Sequence, residues 1–315
     1  MLYKDLTINK LHDLPAVPRL QANQLKHYWS ISYSAFDRDW KSEIFYITLE
    51  IDIHCVMKGS ILRGLKAAAD ILLPRQCITC GRKLLLNEKH LCLECLADLP
   101  QTYFWTLSHN PMADKFNEII QKTLEEGCSS DSESCHEHYA YASALFFYHS
   151  EAEYRLIPYQ IKYHGNISAG QYFGKMLGKR LASSEVFQDV DMVIPVPLHW
   201  TRKWKRGYNQ AEVIASTVAE SLGAPMRTDI LKRCKRTSTQ TKVEVEEKRK
   251  NVSGAFAAAI PSAADISPDE VRHLLIVDDV FTTGSTLYAC FVALRSVFPP
   301  SVRISVATLG FVGRA

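Results

Sequence analysis

A chain of 315 residues, 47% hydrophobic and 23% charged, holds enough apolar material for one large domain or two smaller ones, and its composition excludes wholesale disorder and collagen-like architecture. The formal net charge of +3 selects no class of partner, so a polyanion site has to come from local clusters. No apolar run approaches the ~18 residues of a membrane span. Lys4, Asp5, Lys10 and Asp13 leave no apolar core for a secretory leader. The expected compartment is therefore the cytoplasm, without membrane insertion. Nine cysteines are many for such a protein, and four of them fall in two C-x-x-C pairs.

Residues 1–56 are aromatic and polar with poor helical periodicity. Ile47, Leu49, Ile51 and Ile53 alternate with polar residues and read as a strand that has no partner strand nearby. From Met57 the pattern changes. Ile61, Leu62, Leu65, Ala69 and Leu72 fall on one helical face, and Pro74 stops the helix. Cys77-x-x-Cys80 and Cys92-x-x-Cys95 follow, eleven residues apart. Each pair can wrap one side of a tetrahedral ion, and four thiolates make a closed structural zinc set with no position left for catalysis. Asn110-Pro111 starts a helix over 112–126, and a polar loop covers 128–137. Cys128, Cys135, His136 and His138 are less regularly spaced and read as loop residues, with a second metal site as the alternative.

Strands and helices then alternate. Strands are expected over 141–148, 191–196, 273–277 and 302–309. Helices are expected over 152–163, 170–182, 209–222 and 285–297. This alternation argues for a mostly parallel sheet covered on both faces. After Ile194-Pro195-Val196-Pro197-Leu198, Arg202, Lys203, Lys205 and Arg206 place four cations within five residues of what reads as a loop, and Gly207 opens the way to the next helix. Such a cluster suits a pyrophosphate through charge-assisted donors. A solvated basic loop or a nucleic-acid patch would show the same residues. The stretch 232–256 is rich in both charges and by itself reads as a charged surface helix with a flexible lead-in.

The most informative segment runs from Leu274 to Leu287. An apolar strand ends on Asp278 and Asp279, and Thr282-Thr283-Gly284-Ser285-Thr286 leads into a helix. The carboxyl end of a strand is where open α/β sheets bind ligands. The free N–H groups and dipole of a helix start favour a phosphate. Two carboxylates, acceptors only, suit two vicinal ribose hydroxyls. The absence of a G-K-[ST] ending rules out a P-loop.

Strand, paired acids and T-T-G-x-T together resemble the phosphoribosyl pyrophosphate motif of type I phosphoribosyltransferases. With P-V-P-L, the basic residues and R-G-Y-N-Q, the cysteine pairs, Ile161-Lys162-Tyr163-His164-Gly165 and the Lys232–Phe256 stretch, the chain from about Met57 resembles the competence protein F (ComF) family, which is amidophosphoribosyltransferase-like. The resemblance implies an α/β type I phosphoribosyltransferase fold over 139–315. A helix and zinc module over 57–100 and a linker over 101–138 precede it, and 1–56 is then either an extension, an over-called start or a small strand-bearing element. It implies Asp278 and Asp279 at the ribose, Thr282, Thr283, Gly284, Ser285 and Thr286 at the 5′-phosphate, and Arg202, Lys203, Lys205, Arg206 and Gly207 at pyrophosphate. Arg233, Arg236, Gln240 and Arg249 belong to a mobile loop in this reading.

The implied ligand is phosphoribosyl pyrophosphate with magnesium, its phosphoribosyl group passing to an unidentified nucleophile. The residues name no general base and no oligomeric state. Glutamine-dependent amide transfer is not expected, because neither Leu2 nor Lys58 is the N-terminal cysteine it needs. The alternative is a non-enzymatic role in DNA uptake, with single-stranded DNA or a protein of the competence machinery as partner. In that role Trp200, Trp204 and Tyr208 would stack on bases.

Overall fold

The computed structural model describes residues 74–127, 137–234, 254–260 and 267–313. The strand expected at 47–53, the helix at 61–72, the loop residues Cys128, Cys135 and His136, and the mobile-loop candidates Arg236, Gln240 and Arg249 lie outside them. The described residues fall in one compact unit, Leu73–Ala315.

Four parallel strands form the central sheet: β1 (Ala142–Phe147), β2 (Met192–Pro195), β5 (His273–Phe281) and β6 (Arg303–Phe311), in the order β1-β6-β5-β2. Their side chains are apolar on both sides, as strands covered by helices require. On one face lie α2 (Pro111–Gly127), through Met112, Phe116 and Ile120, and α7 (Ser285–Arg295), through Leu287, Phe291 and Leu294. On the other lie α3 (Leu156–Tyr163), α4 (Ile167–Ala182) and α6 (Gln210–Leu222), through residues such as Ile161, Phe173, Leu177, Ile214 and Val218. The cysteine segment, with its short helix α1 (Leu93–Ala97), contributes Leu84, Leu91 and Leu99 to that second core. The expected α/β architecture, a parallel sheet with helices on both faces behind a four-cysteine module, is present.

Local chemistry explains the element ends. Asn110 accepts from the N–H groups of Met112 and Ala113 at 3.1 and 3.0 Å, and its amide donates to Ala142 O at 2.9 Å. One side chain thus caps α2 and ties it to β1. Helix α4 begins three residues before the expected start, because Asn166 accepts from Ala169 N–H at 3.0 Å and caps it there. Gly170, Gly174 and Gly178 let α4 lie close against α6. A Cβ on Gly174 would fall 3.0 Å from Ile214 O and 3.1 Å from its Cα.

Three expectations need correction. The basic residues expected in a loop form a helix, α5 (Trp200–Arg206). His199 Nδ1 accepts from Thr201 N–H at 3.3 Å at its start, and Gly207 closes it with φ 84°. Part of 232–256 is neither loop nor helix: Leu231–Arg233 (β3) pairs antiparallel with Phe256–Ala258 (β4). Strand β5 does not stop at Val277 but runs through both acids to Phe281, because β6 continues beside it to Phe311.

Candidate functional site

The extra length of β5 creates the site. Strand β2 pairs with Leu274–Val277 and ends at Pro195, so beyond Val277 the strand has β6 on one side and, among the described residues, no further ladder on the other. Asp278 and Asp279 occupy this step in the sheet. Successive side chains of a strand point to opposite faces, and the neighbours of the two acids differ accordingly. Asp279 is buried and meets Lys162 Nζ, from α3, at 2.9 Å. Asp278 accepts from Asp279 N–H at 2.9 Å and lies near Arg233 of β3 and the buried Cys290 of α7. Burial, and after it the Asp279 charge, push the Asp278 carboxyl up to about 7, against the pull of Lys162.

The strand turns directly into the hydroxyl loop. Gly284 takes φ 79° and sits so close to Phe281 and Ile119 that a Cβ would lie 2.8 and 2.9 Å from their ring and methyl carbons. Only glycine fits both the dihedral and the space. Thr283 and Ser285 hydroxyls meet at 2.9 Å, and Tyr288 N–H bonds Gly284 O at 2.8 Å to start α7. The first-turn N–H groups of such a helix have no intrahelical acceptor and can take an anion's oxygens. Lys115 of α2 donates to Thr282 O at 3.0 Å, which brings a cation to the rim of this loop.

The basic helix meets the acids only in part. The Arg233 guanidinium is pulled down by burial and then by the neighbouring Arg202 cation, with Asp278 opposing, so the basic helix approaches the acids by way of Arg233. Lys203 instead holds Glu212 at 3.0 and 3.1 Å. Arg206 bonds Gln210 and lies 5.6 Å over the Tyr163 ring, and Lys205 is exposed. The Tyr208 hydroxyl donates to Ile161 O, and Asn209 Nδ2 donates to Val196 O at 3.0 Å. The turn between α5 and α6 is thereby fixed to both α3 and the end of β2.

Two members of the site escaped sequence reasoning. Lys162 and Lys115 are single lysines on amphipathic helices, more than 110 residues before the acids, and no local pattern separates them from surface lysines. The resemblance had covered Lys162 within I-K-Y-H-G without giving it a role.

The cysteine centre stands apart from this site in sequence but in the same unit. The four Sγ atoms of Cys77, Cys80, Cys92 and Cys95 lie within 4.8 Å of one another, and Cys80 and Cys92 are 3.7 Å apart. A tetrahedron with Zn–S arms of ~2.3 Å has edges of ~3.8 Å, so the donor set fits a metal such as zinc. The first pair sits on a tight turn, with Gly81 at φ 72°, Gly81 N–H on Cys77 O at 3.0 Å and Cys77 N–H on Arg82 O at 2.8 Å. The second sits on the start of α1, where Cys92 Sγ accepts from Cys95 N–H at 3.5 Å. The Cys80 thiol is lowered to about 7, chiefly by the Arg82 backbone N–H, while burial drives Cys95 upward. The Arg82 guanidinium also reaches Cys92 Sγ at 3.5 Å while paired with Glu94. Such second contacts orient ligands.

These features define a class, a parallel α/β protein with paired carboxylates and a hydroxyl loop at its strand ends and a four-cysteine module. Among solved structures, the chain is similar to the glutamine phosphoribosylpyrophosphate amidotransferase of B. subtilis, at 20% identity and a TM-score of 0.28 over 44% of this chain and 26% of that one. It is also similar to the orotate phosphoribosyltransferase of Aeropyrum pernix, at 15% identity and a TM-score of 0.27 over 60% and 78%. No protein-family model matches the chain.

Among curated proteins, it is 35% identical over 114 residues to competence protein F of Haemophilus influenzae, covering 36% of this chain and 48% of that protein. It is 32% identical over 97 residues to the DNA utilization protein YhgH of Escherichia coli K12, covering 31% and 40%. The chain matches about half or less of the length of these relatives. Over that part, the resemblance to competence protein F read from the motifs holds.

Proposed function

We propose that the step in the sheet binds phosphoribosyl pyrophosphate with magnesium, and that the protein transfers the phosphoribosyl group to a nucleophile with release of pyrophosphate. The observation that carries this reading is the junction of Asp278 and Asp279 with the Thr282–Thr286 loop, carboxylates and an anion cradle separated only by Val280 and Phe281 of the same strand. In this reading the carboxylates accept the two ribose hydroxyls. Thr282, Thr283, Ser285 and Thr286 with the N–H groups of α7 take the 5′-phosphate, and Gly284 makes room for it. Arg233, near Asp278, and Arg202, near Arg233, would meet the pyrophosphate, and Arg206 and Lys205 extend that positive side along α5. Departure of pyrophosphate leaves an oxocarbenium-like sugar, so the residues act mainly by stabilising charge on the leaving group. Magnesium, if bound with the pyrophosphate, would further neutralise that charge. The four cysteines hold a structural zinc, since a closed thiolate set offers no catalytic position.

A second reading has its own support. Trp200 and Trp204 are 72% and 86% exposed on the helix that carries Arg202, Lys203, Lys205 and Arg206, and relatives carry names for competence and DNA utilization. Exposed indoles among cations suit base stacking along a single strand. The two readings part in one experiment. Pyrophosphate release is screened over candidate nucleophiles, and single-stranded DNA binding is followed against salt. Release that depends on Asp278 and Asp279 supports transfer. Salt-sensitive DNA binding that depends on Trp200 and Trp204, without release, supports the uptake role.

A further inference from the structure

We infer that Lys162 is a positioning residue for the acidic pair: from α3 it holds the Asp279 carboxylate in place at the end of β5 and sets its positive charge beside both acids. This rests on the reading that the pair receives the ligand's hydroxyls. The side chains of Lys162 and Asp279 are 27% and 5% exposed, and their charged atoms meet at 2.9 Å. Burial and the Asp279 charge raise the Asp278 carboxyl, and the Lys162 charge opposes them. A protonated carboxyl has given up acceptor capacity to a donor hydrogen.

The surroundings show how much falls to Lys162. On β5 the pair consists of Asp278 and Asp279. From α3 come Lys162 and, beyond it, the Tyr163 phenol. From β3 comes Arg233, itself crowded by Arg202 of α5, and from α7 the buried Cys290 thiol. Arg233 is near Asp278, whereas the cation in direct contact with Asp279 is Lys162. Burial would lower the Lys162 ammonium, but the Asp279 charge and hydrogen bond together with the Asp278 charge outweigh it and raise the ammonium above its ordinary value.

The lysine is also held rigidly. Ile161 beside it is fully buried, and the Tyr208 hydroxyl bonds Ile161 O. A buried ion pair is poor value as a stabiliser, since apolar residues of the same size do as well. Its location at the ligand end of β5 gives it a purpose that stability does not.

The test uses the whole chain with Lys162→Met and Lys162→Arg. Each is followed by thermal melting, by calorimetric titration with phosphoribosyl pyrophosphate and magnesium between about pH 6 and pH 9, and by carbon NMR of the side-chain carboxyls without ligand. In the NMR, the titration of the acidic pair should move to higher pH in Lys162→Met and stay near wild type in Lys162→Arg. In calorimetry, Lys162→Met should bind about tenfold or more weakly near pH 7, with the loss shrinking as pH rises, and Lys162→Arg should recover most of the affinity. An unmoved carboxyl titration in folded Lys162→Met overturns the inference, as does equal weakening of both variants with parallel pH profiles. If wild type binds nothing at any pH while the carboxyl titration shifts as expected, the ligand assignment fails and the role of Lys162 stands.

Discussion

His273 Nδ1 lies 2.7 Å from Asp189 Oδ1, and its Nε2 lies 2.8 Å from Ser305 Oγ, at the end of the sheet opposite the acidic pair. The imidazole is fully buried, and Ser305 Oγ also accepts from Tyr141 N–H at 3.1 Å. One histidine therefore joins β5, β6 and the segment before β2. Burial depresses its pKa despite the pull of Asp189. The folded state then binds fewer protons than the unfolded chain below ~6.5, and stability is lost as pH falls through that value. Asp189, held below the usual carboxylate range by the His273 hydrogen bond against the effect of burial, adds a loss in the same direction at lower pH. The melting temperature of wild type minus that of His273→Gln should fall between about pH 7 and pH 5. His273→Ala should cost roughly 2–4 kcal/mol at neutral pH, from the cavity and the stranded partners. A flat difference curve would contradict the neutral buried histidine.

Asp278 works in the opposite sense. Its folded-state value of about 7 stands above the ~3.9 of an unfolded aspartate. The folded protein holds that proton more tightly, so stability declines as pH rises from ~4 towards 7 and stays reduced above it. Asp278→Asn should therefore melt several degrees above wild type at pH 8, with the gain vanishing towards pH 4, while its ligand affinity drops. Stability surrendered at a binding site is the usual trade. An Asn variant no more stable than wild type at pH 8 would show that the carboxylate is not strained there.

Gly284 and Gly207 make a controlled pair. Both have φ near +80°, but a Cβ on Gly207 meets nothing within 4 Å, whereas one on Gly284 meets Phe281 and Ile119 below 3 Å. Gly207→Ala should cost ~1 kcal/mol for the left-handed backbone alone. Gly284→Ala should cost clearly more, with a correspondingly larger drop in melting temperature at ~2–4 °C per kcal/mol, and should weaken phosphate binding. Equal costs would mean that the loop relaxes around the methyl group.

The metal centre predicts about one zinc per chain after purification under reducing conditions without chelator. Cys77→Ser or Cys92→Ser should lose it and lower the melting temperature, because both thiols are buried in the core shared with α4. Zinc should also leave as pH falls, since thiolates are the ligands. Metal-free wild-type protein would count against the assignment.

How far these features could be read from sequence varies with their range. Apolar runs such as Leu274–Val277 announce the strands, and the two C-x-x-C pairs announce a centre whose sulfurs do converge. The Thr282–Thr286 loop was placed correctly because strand, loop and helix start are contiguous. Strand β5 was drawn four residues short because pairing with β6, a tertiary fact, overrides the low strand propensity of two aspartates. Helix α5 is not legible because its only apolar residues, Trp200 and Trp204, are two exposed side chains in a seven-residue segment dominated by cations, and its caps, His199 and Gly207, also read as a loop. The β3–β4 ribbon was missed because three-residue strands carry almost no periodicity. Lys162 and Lys115 reach the site only through folding, which no spacing rule anticipates.

The most direct test of the central claim is calorimetric titration of phosphoribosyl pyrophosphate with magnesium into wild type and into folded Asp278→Asn/Asp279→Asn. Charge-assisted bonds to the ribose are worth ~1.5–3 kcal/mol each. The account predicts saturable one-site binding to wild type and a loss of roughly 10²–10⁴-fold in the double variant. Equal affinity in the two proteins, or no binding to wild type, would contradict it.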